Sequence, residues 1–169
     1  MNMPLTVLII EDSESKLKSI QGVLERELPS VAIRKALSVR SAIDSVLALM
    51  PDLIVADMSL PTYDIKARER GGTPRPFGGI EVFETLERHE IVVPVVVVTS
   101  YPAITEGTQS LGLTELSKRL EDDFPDCFLG TVYFDSAYSN WEREIVVFLH
   151  KVLKAKYDTR SSSARGRSI

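Results

Sequence analysis

The sequence predicts a doubly wound α/β domain, a five-stranded parallel sheet with helices on both faces. Two observations carry that expectation. Five short runs have the length and the Val, Ile, Leu and aromatic content of strands: Val7–Ile10, Val31–Leu37, Leu53–Ala56, Val95–Val98 and Phe128–Phe134. Each is followed by a stretch whose apolar residues recur at helical spacing. Parallel neighbours cannot be joined by a tight turn and need a crossover, usually a helix, so strand–helix alternation argues for a parallel sheet.

In chain order, the first strand ends in Glu11-Asp12. Leu17, Ile20, Leu24 and Leu28 make the first helical stripe, with Asp12 or Ser13 as its cap and Pro29 beyond its end. The second strand alternates Val31 and Ile33 before Arg34 and Lys35, the pattern of an edge. Ile43, Val46, Leu47 and Met50 form the second helix, stopped by Pro51. The third and fourth strands are almost continuously apolar, as strands covered on both faces are. Between them, Ile80, Phe83 and Leu86 form a third helix after Gly78-Gly79. Leu113, Leu116, Leu120 and Phe124 form the fourth, ended by Pro125, and Trp141, Ile145, Phe148, Leu149, Val152 and Leu153 the last. These stripes are core faces and need no cofactor to explain them.

The 169 residues, 44% of them hydrophobic, make one folded domain and exclude wholesale disorder. The net charge of −4 argues against general nucleic-acid binding, but it is unevenly spread. Lys151, Lys154, Lys156, Arg160, Arg165 and Arg167 against Asp158 give residues 151–169 a charge of +5, leaving −9 on the rest. The expected layout is a domain over residues 1–157 and a disordered basic tail over 158–169. Residues 62–79 form an inserted polar loop, expected to be a lid or a recognition element. Cys127 is the only cysteine, so neither an intrachain disulfide nor a cysteine metal cluster can form. Met1–Ile10 lacks the basic start and long apolar run of a secretory leader, and no run spans a bilayer. The expected location is the cytoplasm.

In open parallel sheets ligands bind beyond the carboxyl ends of the strands. There the first strand places Glu11 and Asp12, and the third places Asp57. Adjacent strand ends bring three repelling carboxylates together, and a hard divalent cation, Mg2+ above all, offsets that cost. The fourth strand ends in Thr99-Ser100, which offers a hydroxyl. Other constellations are weaker. His89 and His150 lack metal-ligand spacing, Gly71-Gly72 lacks the Lys-Ser/Thr of a phosphate loop, and no serine has a nucleophile-elbow context.

These residues resemble a known family, the response-regulator receiver domains, which are flavodoxin-like. The resemblance rests on Ile9-Ile10-Glu11-Asp12, on the run from Leu53 to Pro61 around Asp57, on Pro94–Ser100, and on Gly79-Ile80-Glu81-Val82-Phe83. It implies that Asp57 accepts a phosphoryl group from a phosphohistidine on a histidine kinase or phosphotransfer protein. It implies Mg2+ held by Glu11, Asp12, Asp57 and the backbone carbonyl of Ser59, with Thr99 as the switch hydroxyl. Such a domain is a phosphoacceptor in phosphorelay signalling rather than an enzyme, and its output passes to a downstream protein. The family's usual interaction and homodimer face is the fourth helix, fifth strand and fifth helix, here carrying Tyr133, Tyr138 and Trp141. No DNA-binding unit and no membrane segment follows from the sequence.

One departure stands out. The family usually has a lysine at the end of the fifth strand, but this chain has no Lys or Arg between Arg119 and Arg143. Asp135 adds a fourth acid near that strand end. Three readings stay open: phosphorylation with Mg2+ alone neutralising charge, substitution by Lys66, Arg68, Arg70 or Arg75 of the inserted loop, or a phosphorylation-independent pseudo-receiver acting as a scaffold.

Overall fold

A computed structural model of the chain describes residues 4–65 and 74–165. In chain order the elements are β1 (Thr6–Ile10), α1 (Glu14–Glu27), β2 (Ala32–Ala36), α2 (Val39–Ala48), β3 (Leu53–Ala56), α3 (Gly78–Arg88), β4 (Val95–Thr99), β5 (Ala103–Glu106), β6 (Gln109–Gly112), α4 (Leu113–Asp123), β7 (Phe128–Tyr133) and α5 (Asn140–Arg165). Five strands form one sheet in the order β2-β1-β3-β4-β7, each neighbour parallel to the next. This is the flavodoxin-like, doubly wound sheet that the sequence predicts, with β2 at an edge.

The two-residue period of a strand sorts the core into two layers. Leu8, Ile10, Ile54, Ala56, Val95 and Val97 face α2, α3 and α4. Val7, Ile9, Leu53, Val55, Val96 and Val98 face α1 and α5. Both sides of the central strands are dry, which explains their unbroken apolarity. Trp141 lies in the second layer with Ile145 and Leu149 and packs on Phe134 with ring centroids 4.6 Å apart.

Two elements differ from the sequence reading. The hairpin β5–β6 follows β4 directly and was not expected. Its turn is Gly107-Thr108, with Gly107 at φ 60, a conformation glycine adopts without steric cost. Only Ile104 is buried, so the hairpin shows no clear alternation of apolar residues. The second difference is the end of the chain. Helix α5 continues through the expected tail to Arg165, because Asn140–Arg165 contains no proline or glycine. The Thr159 and Ser163 hydroxyls donate to the helix's own carbonyls at Ala155 and Arg160. Residues 166–169 lie outside the described residues.

The described ends of the inserted loop are pinned. Pro61 and Thr62 carbonyls accept from the first amides of α2, Val39 and Arg40, and Asp64 accepts from Ser38, the residue capping α2. On the return, Arg75 exchanges two backbone hydrogen bonds with Leu60. The proposed lid residues Lys66, Arg68 and Arg70 lie outside the described residues.

Helix α3 begins against the segment that follows β3. A Cβ on Gly79 would lie 2.6 Å from the Asp57 carbonyl oxygen and 2.9 Å from Met58 Cα, both backbone atoms that cannot swing aside. Gly22, on the exposed side of α1, has open space around it. Gly79→Ala is therefore expected to destabilise the protein by about 1–3 kcal/mol in urea unfolding. Gly22→Ala should stabilise it by about 0.5–1 kcal/mol, through helix entropy alone.

Candidate functional site

Registration of β1 against β3 builds the site. Ile10 pairs with Ala56, and the Asp57 amide donates to the Ile10 carbonyl at 3.0 Å. The residues that follow both strands therefore emerge side by side. Glu11, Asp12 and Asp57 offer carboxylate oxygens that all lie within 4.8 Å of one another. They line a cavity of about 370 Å³ with Ser59, Ser100, Phe134 and Ser136 among its walls. Glu11 and Asp57 are buried, and Asp12 is half-buried at the rim.

Each buried acid is fixed by local backbone. Asp57 Oδ1 accepts from the Met58 amide at 2.7 Å and the Ser59 amide at 3.4 Å. Glu11 Oε1 accepts from the Ser13 amide at 3.0 Å, just where Ser13 caps α1. The second oxygens converge on one cation. Lys16 Nζ lies 2.7 Å from Glu11 Oε2 and 3.1 Å from Asp57 Oδ2, and donates to the Val98 carbonyl at 2.8 Å. The lysine is only 5% exposed, and its ammonium stands 5.8 Å from the centre of the Phe134 ring.

Burial leaves these acids short of positive charge. Desolvation, opposed by the Lys16 ammonium and reinforced by the nearby Asp57 charge, raises the Glu11 pKa to about 7. Burial likewise pushes Asp57 upward against the pull of Lys16 and the hydrogen bonds from Lys16, Met58 and Ser59. Glu11 Oε2 is buried and accepts no well-aligned hydrogen bond among the described residues, so its charge rests on the contact with Lys16. An all-oxygen donor set with surplus negative charge suits a hard divalent cation.

Comparison with known proteins shows the family. The sequence matches the response regulator receiver domain family over residues 7–115. The chain belongs to that family. It is 26% identical over 146 residues to the Detocs response regulatory protein DtcB of Vibrio alginolyticus, covering 85% of this chain and 98% of that one. It is 23% identical over 144 residues to the protein of the same name from Enterobacter cloacae, covering 84% and 96%. The signal receiver domain of a LuxO-like repressor protein from Vibrio parahaemolyticus shares the fold with a TM-score of 0.62 at 20% identity, over 94% of this chain and 97% of that one.

Within this receiver domain the residues expected at the site divide into two groups. Glu11, Asp12, Asp57 and Ser59 come together at one cavity. Thr99 stands apart from its wall, fully buried at the end of β4, with its hydroxyl accepting from the Tyr101 amide at 3.2 Å. Asp135 turns its carboxylate to the Ala137 amide instead of adding a fourth acid. Arg75 pairs with Glu81 on α3 and does not reach Asp57. The residue following β7 is Phe134, which lines the cavity.

Lys16 is the site residue that the sequence reading missed. Its signal was legible: Lys16, Ile20, Val23 and Leu24 follow helical spacing, so a lysine occupies the buried stripe of α1. The raised pKa values also carry a measurable consequence. Between its ordinary value of 4.5 and about 7, folded Glu11 binds a proton that the unfolded chain has released, so stability falls as pH rises. Asp57 acts in the same direction. The urea midpoint of the metal-free protein should therefore decline across that interval. Glu11→Gln should flatten the decline, and added Mg2+ should oppose it.

Proposed function

We propose that this receiver domain accepts a phosphoryl group on Asp57 from a phosphohistidine of a histidine kinase or phosphotransfer protein. The observation that carries the reading is the Asp57 carboxylate itself. It is oriented by two backbone amides at the edge of a cavity and flanked by Glu11 and Asp12 oxygens. An Asp57 oxygen bonds to phosphorus as the donor's P–N bond breaks, and the imidazole leaves with that electron pair. The product is an acyl phosphate. Holding the carboxylate in line is the chief task left to the protein.

Glu11, Asp12 and Asp57, with the Ser59 carbonyl, are the ligands proposed for Mg2+. When bound, that ion neutralises charge on the phosphoryl oxygens. Thr99 is the proposed switch hydroxyl. Its place at the end of β4, immediately before the segment leading to β5–β6, links it to the hairpin and α4. The relatives named as response regulatory proteins support a signalling role with a protein partner over an enzyme.

The receiver body is residues 1–157, with the rest of α5 a basic extension. Output passes through protein contacts, and the α4–β7–α5 face, with Tyr133 and Val147 exposed, is the proposed partner or homodimer surface. No described helix is long and apolar enough to cross a membrane. The cytoplasm, where kinases of this type present their phosphohistidine, is the proposed location.

A second reading, a scaffold that works without phosphorylation, is favoured by one observation, Phe134 in place of a lysine after β7. Intact-mass measurement with acetyl phosphate separates the two. The expected result is a Mg2+-dependent phosphoryl adduct that Asp57→Ala abolishes. A folded, Mg2+-binding protein that takes no adduct would establish the scaffold instead.

A further inference from the structure

We infer that Lys16 is the relocated cation of this site: it stands in for the divalent metal between Glu11 and Asp57 in the metal-free state, then pairs with the phosphoryl group on Asp57. The inference deepens the phosphoacceptor reading and rests on it for its second half.

Three observations converge. The ammonium already lies between two acids of the cluster, 2.7 Å from Glu11 and 3.1 Å from Asp57. Glu11 and Asp57 are also two of the three acids whose carboxylate oxygens lie within 4.8 Å of one another and could hold a metal. Lysine and metal thus draw on the same two carboxylates. Second, among the described residues no other cation reaches the cavity, whose wall at the end of β7 is Phe134. The Phe134 ring lies within cation–π range of Lys16 Nζ, so the aromatic surface borders the ammonium. Third, Lys16 is tethered to the sheet, not only to the acids. Its bond to the Val98 carbonyl attaches it to β4 at the residue before Thr99.

A structural salt bridge alone is a weak explanation. A buried ion pair is often no more stabilising than well-packed apolar side chains of similar volume. A metal entering the cluster would supply the charge that Glu11 needs and free the lysine stem to swing its head toward Asp57. A phosphoryl group there adds oxygens that the ammonium can meet while Val98 stays within reach. Lysine suits this better than arginine, since its compact head on a flexible stem can exchange partners. The charge event at Asp57 is then coupled to β4 from helix α1.

The test compares wild type, Lys16→Met and Lys16→Arg, each shown to be folded by circular dichroism. Mg2+ affinity is read from thermal shift and Trp141 fluorescence, with the metal alone as probe. Phosphoryl incorporation from acetyl phosphate is read by mass. Lys16→Met is expected to bind Mg2+ about tenfold more tightly, because a competing cation is gone. It should take up phosphoryl groups about tenfold more slowly, because the group that meets them is gone. Lys16→Arg should retain part of the uptake. A merely structural lysine would weaken metal binding and uptake together. Metal binding no tighter than wild type, or uptake as fast as wild type, would overturn the inference. If wild type itself takes no adduct, the phosphoacceptor reading fails and the phosphoryl half fails with it. Tighter Mg2+ binding by Lys16→Met would still establish the competition.

Discussion

The site depends on one buried ammonium held between two buried carboxylates. The β1–β3 register leaves Glu11 and Asp57 no choice but to emerge side by side. Two like charges about 4 Å apart repel by about 4 kcal/mol at the effective dielectric usual for proteins. Lys16 offsets that repulsion and so allows both acids to remain buried. Burial, with the Asp57 charge beside it, still holds the Glu11 pKa above its ordinary value against the pull of Lys16. An incompletely neutralised cluster is a poor way to gain stability and a good way to hold an affinity for a cation.

The surrounding elements follow from that constraint. Ser13 starts α1 two residues after Glu11, and its amide holds one Glu11 oxygen, so the cap that begins the helix also aims the acid. The same helix turn delivers Lys16. The close approach of Gly79 to the Asp57 backbone lets α3 begin against the segment that carries the acceptor. Phe134 lines the cavity and packs at a tilt against Trp141, which anchors α5 in the core. The cation at the acids comes from α1, while the wall at the end of β7 is aromatic.

Much of this was legible in the residues. The five strands were readable because buried parallel strands are apolar runs of characteristic length, and the helices because their core stripes recur every three or four residues. The acids were readable because strand ends in such a sheet are where ligands bind. The hairpin was not, because only Ile104 is buried and its pairing is local backbone geometry around Gly107. The extension of α5 was not, because Ser and Arg compositions resemble a frayed terminus, and the absence of helix breakers was the quieter signal.

By itself, then, the sequence determined the alternation of strands and helices, the family and the three carboxylates. Those are properties of periodicity and of residues adjacent to strand ends, which local order along the chain encodes. Only the tertiary structure decided that a lysine of α1 meets the acids, that Asp135 and Arg75 turn elsewhere, and that Phe134 lines the cavity at the end of β7. Where a long side chain places its charged head depends on helix register, packing and the carbonyls it finds across the sheet. None of these is fixed by the residue's neighbours in sequence.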